Sequence, residues 1–291
     1  MNIMTSKSAQ LPDLRGKVAL VSGASRGIGR GIALVLGSAG ATVYVTGRSR
    51  DGKSTEDMPG SVDQTARDVT AAGGQGIAVP CDHTRDREVE SLFSRIEKEQ
   101  RGRLDLLVNN VWGGYEQYDF ERFSLPFWEQ PLSHWEGMFQ AGLRAHLTAS
   151  RLAAPIMIAQ KGGLIISTVA WDRGLYLGNL FYDLAKAATV RMAWDMAGEL
   201  RAHGVAVLAL APGFVRTERV MAAHARQQFP LDRTESPAYT GRAVAFLAAD
   251  SNVMERSGQV LAVGDLARQY GFVDIDGRQP PAFRIDEPSQ E

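Results

Sequence analysis

The chain has 291 residues, 44% of them apolar and 22% charged, which is typical of a globular protein and excludes a disordered or fibrous one. Glycine is the exception, because its 30 residues exceed the usual share of about 7%. The 32 basic and 33 acidic side chains leave a net charge of -1, which excludes the basic surface expected of a nucleic-acid or anionic-membrane binder and favours a small-molecule partner.

Short apolar runs alternate with stretches of helical period along most of the chain. The predicted strands are Lys17 to Ser22, Ala41 to Thr46, Gly76 to Pro80, Leu104 to Asn109, Leu164 to Val169, Val205 to Leu210 and Gln259 to Val263. The predicted helices are Ile28 to Ser38, Ser61 to Ala72, Arg85 to Gln100, Ser133 to Gln160, Tyr182 to His203 and Pro237 to Ala249. Runs that are apolar on both faces are typical of strands covered on both sides. The alternation therefore predicts an α/β fold, a doubly wound parallel sheet of about seven strands of the Rossmann type.

Two segments interrupt this alternation. The first is the stretch after the last predicted strand, residues 265–291, which we expect to form an extension that closes the core or a subunit interface rather than contacting substrate. Residues 1–13 are expected to form a tail, and 14–264 a single dinucleotide-binding domain. The second segment is a long insert, 111–135, and long loops in compact domains are usually functional. Its aromatic residues are Trp112, Tyr115, Tyr118, Phe120, Phe123, Phe127, Trp128 and Trp135.

Other residue types exclude further classes of protein. Cys81 is the only cysteine, so the chain can form no internal disulfide and no thiolate metal cage. The histidines lack metal-ligand spacing, and no metal is expected. The chain has neither a long apolar run nor a signal-peptide pattern at its start, which predicts a cytoplasmic protein without a membrane partner.

A glycine-rich turn follows the first predicted strand. It runs Ser22-Gly23-Ala24-Ser25-Arg26-Gly27-Ile28-Gly29 and leads directly into a helix. Its glycines, at 23, 27 and 29, let the backbone approach a pyrophosphate at the positive end of that helix. The turn, with Ser25, Arg26 and Ile28, therefore predicts a dinucleotide site.

The end of the second strand indicates which dinucleotide is bound. An NAD site usually has a carboxylate there to bind the ribose hydroxyls, but this chain has Arg48. Arg48, helped by Arg26, is suited to pair with a 2′-phosphate, which favours NADP(H) over NAD. After the third strand, Asp82 is placed either to hold an adenine amino group or to cap a helix.

A tyrosine and a lysine stand four residues apart at Tyr182 and Lys186, so they share one helix face. A free phenol has a pKa near 10, and a nearby ammonium stabilises the phenolate. The pair predicts a phenol that gives or takes the proton of a hydroxyl during hydride transfer. The same spacing also occurs by chance on helix surfaces. Here the pair follows the fifth predicted strand of a chain with a nucleotide-binding turn, and that position favours a catalytic role.

From about residue 14 to 265 the chain resembles the short-chain dehydrogenase/reductase family. The resemblance rests on the three glycines of the turn, on Asn109-Asn110-Val111-Trp112 where the family has N-N-A-G, on Tyr182 with Lys186, and on Pro212-Gly213 after the sixth strand. Finer features, such as P-G-F-V-R-T-E, are similar to the dehydrogenase/reductase member 1 type. The resemblance implies that Asn109, Asn110, Tyr182, Lys186, Pro212, Gly213, Val215 and Thr217 contact the cofactor, with 214–217 beside the nicotinamide.

Two positions depart from the family pattern. Where the family has a serine that holds the substrate oxygen, this chain has Val169 and Ala170. Ser167 is the first candidate to replace that serine, with Thr168 behind it, although Ser167 would lie about 6 to 7 Å deeper along an extended strand. Where the family has a relay asparagine, this chain has Gly142, so a helix distortion there would need to be filled by water or another side chain.

The sequence as a whole predicts an NADP(H)-dependent ketone or aldehyde reductase, or an alcohol dehydrogenase in the reverse direction. The aromatic residues favour a bulky apolar or aromatic carbonyl substrate, but they are equally suited to packing a long loop. The alternative is a cofactor-binding regulatory or scaffold protein on the same fold, favoured by the missing serine and asparagine. A third hypothesis is a methyltransferase that binds a nucleoside cofactor at a similar glycine-rich turn, but it explains neither the pairing of Tyr182 with Lys186 nor the presence of Arg48. A homo-oligomer, either a dimer or a tetramer, is expected from the resemblance.

Overall fold

The computed structural model describes residues 9–116 and 123–285. Its strands are β1 (Val18–Val21), β2 (Thr42–Gly47), β3 (Gln75–Pro80), β4 (Leu106–Asn109), β5 (Gly163–Thr168), β6 (Val205–Ala211) and β7 (Val260–Ala262). The α-helices used below are α1 (Gly27–Ser38), α2 (Val62–Ala71), α3 (Asp86–Glu99), α4 (Leu132–Met138), α5 (Ala145–Ala159), α6 (Leu180–Leu200), α7 (Glu218–Arg226), α8 (Pro237–Ala249) and α9 (Val263–Tyr270).

All seven strands pair in parallel, in the order β3-β2-β1-β4-β5-β6-β7. The predicted α/β fold with a seven-stranded parallel sheet is therefore confirmed. The order reverses between β1 and β4, and ligands of such sheets bind outside the carboxyl ends of the strands at that reversal. The site described below lies there.

Successive residues of the strands face two separate cores. Val21 and Val108 pack against α1, α8 and α9, whereas Leu20 and Leu107 pack against α3, α5 and α6. All four side chains are completely buried. This two-sided burial explains why the strand sequences are continuously apolar rather than alternating.

The long helix predicted from Ser133 to Gln160 is not a single α-helix. It consists of α4, a π-helical turn over Phe139–Arg144, and α5. The sequence prediction also missed α7 and α9. The expected boundary between the domain and the C-terminal extension lies within α9.

Tyr118 and Phe120 of the aromatic insert lie outside the described residues, as do 1–8 and 286–291. Within the described parts of the chain, no helix is both long enough and apolar enough to cross a membrane.

Candidate active site

The glycine-rich turn connects β1 to α1 in a conformation that requires its glycines. Gly23 and Gly27 have φ values of 63° and 57°, in the left-handed region. A Cβ atom at Gly29 would lie 2.3 Å from the Gly23 carbonyl oxygen. Only glycine at these positions allows the chain to turn so tightly into the helix, which brings free N–H groups to the carboxyl edge of the sheet.

A carboxylate already contacts this turn. The Gly27 backbone N–H donates a hydrogen bond of 2.8 Å to Oε2 of Glu218, the first residue of α7. The N-terminus of a helix attracts anions through its unpaired N–H groups and its dipole. The Glu218 carboxylate stands in here for an anionic oxygen, and its contact indicates that the turn fits a cofactor phosphate.

Asn110 connects β4 to the same turn. Its Nδ2 donates to the carbonyl oxygens of Ser22 and Gly23, over 3.1 and 3.2 Å, and its backbone N–H donates to Ser22 Oγ. The Thr168 hydroxyl, at the end of β5, donates to Asn110 Oδ1 over 3.4 Å. Asn110 therefore holds three strand ends together at the edge of the site.

A cleft of about 440 Å³ opens above this edge. The predicted site residues that line it are Gly23, Ser25, Arg26, Gly27, Ile28, Arg48, Asp82, Asn110 and Thr217. The other predicted site residues do not line it: Tyr182, Lys186, Ser167, Asn109, Gly29, Pro212, Gly213 and Val215. The cleft is also lined by three residues of the aromatic insert, Trp112, Tyr115 and Glu116. Two of them, Trp112 and Tyr115, contact the Tyr182 ring. Residues of the aromatic insert thus stand between the cleft and Tyr182.

The two predicted phosphate-binding arginines have different surroundings. Arg48 forms an ion pair with Glu116, and both side chains are about one-third exposed. Arg26 instead donates to oxygens of the loop at residues 49–60, including Ser49 Oγ at 2.8 Å and the Pro59 carbonyl at 2.9 Å. Arg26 therefore organises this loop, and Arg48 is the more accessible of the two cations.

Asp82 makes a local turn. Its Oδ1 accepts hydrogen bonds from the Thr84 backbone N–H and hydroxyl, over 3.0 and 2.7 Å. Of the two roles expected for Asp82, this contact resembles the capping role, although the residue that immediately precedes α3 is Arg85. Asp82 also lines the cleft, so the same position is compatible with an adenine contact.

Tyr182 and Lys186 lie on α6, with the Lys186 ammonium 5.6 Å from the centroid of the Tyr182 ring. Asn179 caps the start of this helix by accepting a hydrogen bond from the Tyr182 backbone N–H over 2.9 Å. The Lys186 side chain is buried, and this burial lowers its pKa to about 7. The face of Trp112 lies 3.6 Å from the same ammonium.

Three aromatic side chains surround the Tyr182 ring. Trp112 meets it edge-to-face at 5.5 Å, Phe123 does so at 5.8 Å, and Tyr115 stacks on it at 6.3 Å. The Tyr182 and Tyr115 side chains also share a hydrogen bond, while burial raises the pKa of Tyr115 above its ordinary value. The aromatic insert therefore builds an apolar environment around the predicted acid/base.

The two candidate hydroxyls at the end of β5 face opposite sides of the sheet. Ser167 is completely buried, lies opposite Asn109 in the register, and its Oγ has no hydrogen-bond partner among the described residues. Asn109 is also buried and donates to Ser150 on α5. Thr168 instead contacts Asn110, at the edge of the cleft. Neither hydroxyl lines the cleft, but Thr168 contacts a residue that does.

The helix distortion expected at Gly142 is present as the π-helical turn. The space beside Gly142 contains the Trp112 indole, because a Cβ atom at Gly142 would lie 2.7 Å from Trp112 Cζ3. One turn along the helix, His146 Nε2 lies 3.0 Å from the Val111 carbonyl oxygen. Burial first, and then the charge of Lys186, lower the pKa of His146 to about 3, so this imidazole is neutral at pH 7 and Nε2 is the donor.

The C-terminal extension contacts the loop that precedes α6. The buried carboxylate of Asp172 accepts a hydrogen bond from the Ile285 backbone N–H and pairs with Arg173. Further back, the buried Asp274 accepts hydrogen bonds from the Ser236 backbone N–H and from Arg216. The described part of the extension thus contacts both loops that follow β5 and β6, and its role as a strap stays a prediction.

Several residues at the cleft were not predicted from the sequence. Glu56 and Met58 line it from the loop after β2, and Glu56 forms an ion pair with Arg219 of α7. The distance in sequence between Arg48 and Ser61 is the signal that could have revealed this loop. Glu218 was visible only as the last letter of P-G-F-V-R-T-E, and its contact with Gly27 spans 191 residues.

Comparisons with known proteins agree with this geometry. The family model described as short chain dehydrogenase matches residues 17–228. The mouse protein named Dehydrogenase/reductase SDR family member 1 is 42% identical over 277 residues, covering 91% of this chain and 85% of the mouse protein. The human protein of the same name is 40% identical over 276 residues, with the same coverage.

A solved structure with a similar fold is 7α-hydroxysteroid dehydrogenase complexed with NADH and 7-oxo glycochenodeoxycholic acid. It has a TM-score of 0.71 and 27% identity, and the match covers 86% of this chain and 93% of that one. With the glycine-rich turn, the Tyr182–Lys186 pair and the parallel sheet, these matches show that the chain belongs to the short-chain dehydrogenase/reductase family and is of the dehydrogenase/reductase member 1 type.

Proposed function

We propose that this protein is an NADP(H)-dependent oxidoreductase that interconverts a carbonyl and an alcohol. The observation that carries the proposal is the position of Tyr182, with Lys186 one helical turn away and in contact with Trp112 and Tyr115, two residues that line the cleft at the glycine-rich turn. That arrangement supports acid/base chemistry next to a dinucleotide.

Tyr182 is the general acid/base in this proposal. In reduction, its hydroxyl donates a proton to the carbonyl oxygen, and in oxidation its phenolate takes the proton of the alcohol. The Lys186 ammonium favours the phenolate through its positive charge. When bound, the nicotinamide supplies or accepts the hydride.

The glycine-rich turn and Arg48 are proposed to hold the cofactor. Free N–H groups at the start of α1 are suited to the pyrophosphate, and the Glu218 contact at Gly27 supports this assignment. Arg48 is proposed to bind the 2′-phosphate, and in doing so its guanidinium would leave the ion pair with Glu116 and pair with the phosphate instead.

Similar solved structures contain either dinucleotide. A candidate NAD(P)-dependent gluconate 5-dehydrogenase from Beutenbergia cavernae, with a TM-score of 0.70 and 29% identity, holds NADP at low occupancy. The hydroxysteroid dehydrogenase structure holds NADH instead. The preference for NADP(H) proposed for this chain therefore rests on Arg48.

We propose Thr168 ahead of Ser167 as the hydroxyl that binds the substrate oxygen. Both side chains are buried, but Thr168 Oγ1 contacts Asn110, which lines the cleft, whereas Ser167 Oγ has no partner among the described residues. Removing one positioned donor typically lowers kcat by about a hundredfold or more. A Thr168→Ala variant should show such a loss and Thr168→Ser should restore activity, whereas Ser167→Ala should act mainly on stability.

The substrate is proposed to be a bulky apolar or aromatic carbonyl compound, because Trp112, Tyr115 and Phe123 surround Tyr182. The protein is proposed to act as a homo-oligomer. Exposed apolar side chains on α5 and α6, Leu147 and Leu184, support association of two copies. The cytoplasmic location expected from the sequence stays a prediction.

The deciding experiment measures NADPH oxidation with a panel of ketones, aldehydes and quinones, comparing the wild-type protein with Tyr182→Phe. We expect turnover of at least one apolar carbonyl compound by the wild type and a large loss of kcat in the variant, with NADPH affinity little changed. Equal, negligible turnover by both proteins despite tight NADPH binding would favour a cofactor-binding regulatory protein instead.

A further inference from the structure

The contact between Trp112 and Lys186 has a specific geometry. The indole face lies 3.6 Å from the ammonium, closer than the 5.6 Å between that ammonium and the Tyr182 ring centroid. The same indole meets the Tyr182 ring edge-to-face at 5.5 Å with an interplanar angle of 86°. One side chain therefore contacts both members of the proposed catalytic pair.

Two glycines make room for this indole. A Cβ atom at Gly114 would lie 2.6 Å from Trp112 Cζ2, and one at Gly142 would lie 2.7 Å from Trp112 Cζ3. Both distances are shorter than real carbon contacts, so a side chain at either position would displace the ring. The hydrogen bond from His146 to the Val111 carbonyl fixes the backbone immediately before Trp112. The structure therefore allows the indole little freedom to move.

The electrostatics favour a role for the ring beyond packing. The face of an indole carries partial negative charge and attracts a cation, most strongly where water is excluded. Lys186 is only 8% exposed. The titratable groups near it are Tyr182 on its own helix, His146 on α5 and Tyr115 on the aromatic insert. His146 is neutral at pH 7 and burial keeps Tyr115 a phenol, so neither supplies a negative charge to the ammonium, whereas the indole face lies 3.6 Å from it.

We propose that Trp112 is a positioning residue that holds the Lys186 ammonium in its charged form beside Tyr182. In this arrangement the Trp112 indole occupies the space beside Gly142, where the family has a relay asparagine. An aromatic face thus takes the place of that polar side chain. The inference rests on the proposed function for its catalytic consequence, but the effect of Trp112 on the charge of Lys186 is a property of the protein itself and can be measured without turnover.

The test compares two substitutions that shorten the same side chain. Trp112→Phe keeps an aromatic face, whereas Trp112→Leu keeps an apolar side chain without one. Trp194→Leu is the matched control, because Trp194 also lies beside a cation, Arg191 at 4.4 Å, but is 57% exposed. If Trp112→Leu does not fold, Trp112→Met takes its place.

The primary measurement is a ¹³C NMR titration of the Lys186 Cε resonance, assigned from its loss in Lys186→Arg. Loss of a buried cation–π contact should lower the pKa of Lys186 by about one unit in Trp112→Leu. Trp112→Phe should restore most of this difference, and Trp194→Leu should have no effect. An unchanged pKa in Trp112→Leu, or equal shifts in the Leu and Phe variants, would mean that Trp112 only packs, and would overturn the proposal.

The second measurement is the pH dependence of kcat with the best substrate from the carbonyl panel. Because activity requires the ammonium, the descending limb at high pH should move to lower pH in Trp112→Leu by the amount that NMR gives, and should stay in place in Trp112→Phe. A shifted NMR titration without turnover in any variant would retain the role of Trp112 and contradict the proposed function. Turnover with an unshifted titration would do the reverse.

Discussion

The Glu218 carboxylate accepts a hydrogen bond from the Gly27 backbone N–H over 2.8 Å, although the two residues are 191 positions apart in the sequence. This contact places an acidic side chain of α7 on the turn proposed to bind the cofactor phosphates. A bound phosphate and this carboxylate would compete for the same N–H group.

Removing that carboxylate should therefore strengthen cofactor binding. We expect Glu218→Gln to lower the Kd for NADPH about fivefold, because a negative charge at a helix N-terminus contributes up to about 1 kcal/mol. Isothermal titration calorimetry measures the change, and Asp195→Asn, on the outer surface of α6, is the control. Weaker binding in Glu218→Gln would show that Glu218 supports the cofactor site instead.

Arg48 should determine the choice between the two dinucleotides. Arg48→Asp is expected to weaken NADPH binding by about tenfold or more and to leave NADH binding much less affected, because only NADPH has the phosphate that Arg48 would bind. Glu116→Gln should strengthen NADPH binding, since it frees Arg48 from its ion pair. An unchanged ratio of the two Kd values in Arg48→Asp would refute the assignment to NADP(H).

Gly142 and Gly198 should respond in opposite ways to the same substitution. Gly142→Ala should lower the free energy of unfolding by about 1–3 kcal/mol, because the new methyl group would overlap the Trp112 ring. A Cβ atom at Gly198, on α6, meets no described atom within 4 Å, so Gly198→Ala should raise stability by about 0.5–1 kcal/mol through helix propensity. Urea unfolding measures both values, and similar changes in the two variants would contradict this packing.

Acid should destabilise the protein through His146. Because burial lowers the pKa of His146 to about 3 in the folded state, the unfolded chain binds an extra proton between that value and about 6.5, and stability falls as the pH decreases through this window. His146→Asn keeps a donor for the Val111 carbonyl but does not titrate. Between about pH 4 and 6, the slope of the unfolding free energy against pH should therefore be smaller in this variant than in the wild type, by up to about 1.4 kcal/mol per pH unit. Parallel pH curves for wild type and variant would rule this out.

Two aspartates that contact Arg216 should differ in their effect on stability. Asp274 and Asp276 both approach the Arg216 guanidinium, at 3.3 and 3.2 Å, but the Asp274 side chain is fully buried and that of Asp276 is 35% exposed. Asp274 also accepts a hydrogen bond from the Ser236 backbone N–H over 2.7 Å. Asp274→Asn should cost about 3 kcal/mol and Asp276→Asn less than about 1 kcal/mol, as measured by denaturant unfolding. Equal costs would mean that the extension does not depend on this buried carboxylate.

Local sequence patterns predicted much of this molecule because they depend on neighbouring residues. Continuous apolar runs revealed all seven strands, and the glycines of the β1–α1 turn revealed the cofactor loop. The one long helix predicted across Gly142 was wrong in its middle, because periodicity does not show where a π-helical turn inserts an extra residue. That turn coincides with the space that Trp112 needs, and Trp112 comes from a different segment of the chain.

Backbone preferences and spacings over a few residues were enough to specify the parallel α/β sheet, the glycine-rich turn and the shared helix face of Tyr182 and Lys186. Three contacts could be known only from the folded chain: Glu218 with Gly27, Glu116 with Arg48, and the Trp112 indole with the Lys186 ammonium. These contacts join residues far apart in the sequence. Their distances depend on how the loops after β2, β4 and β6 pack together, which no local pattern encodes.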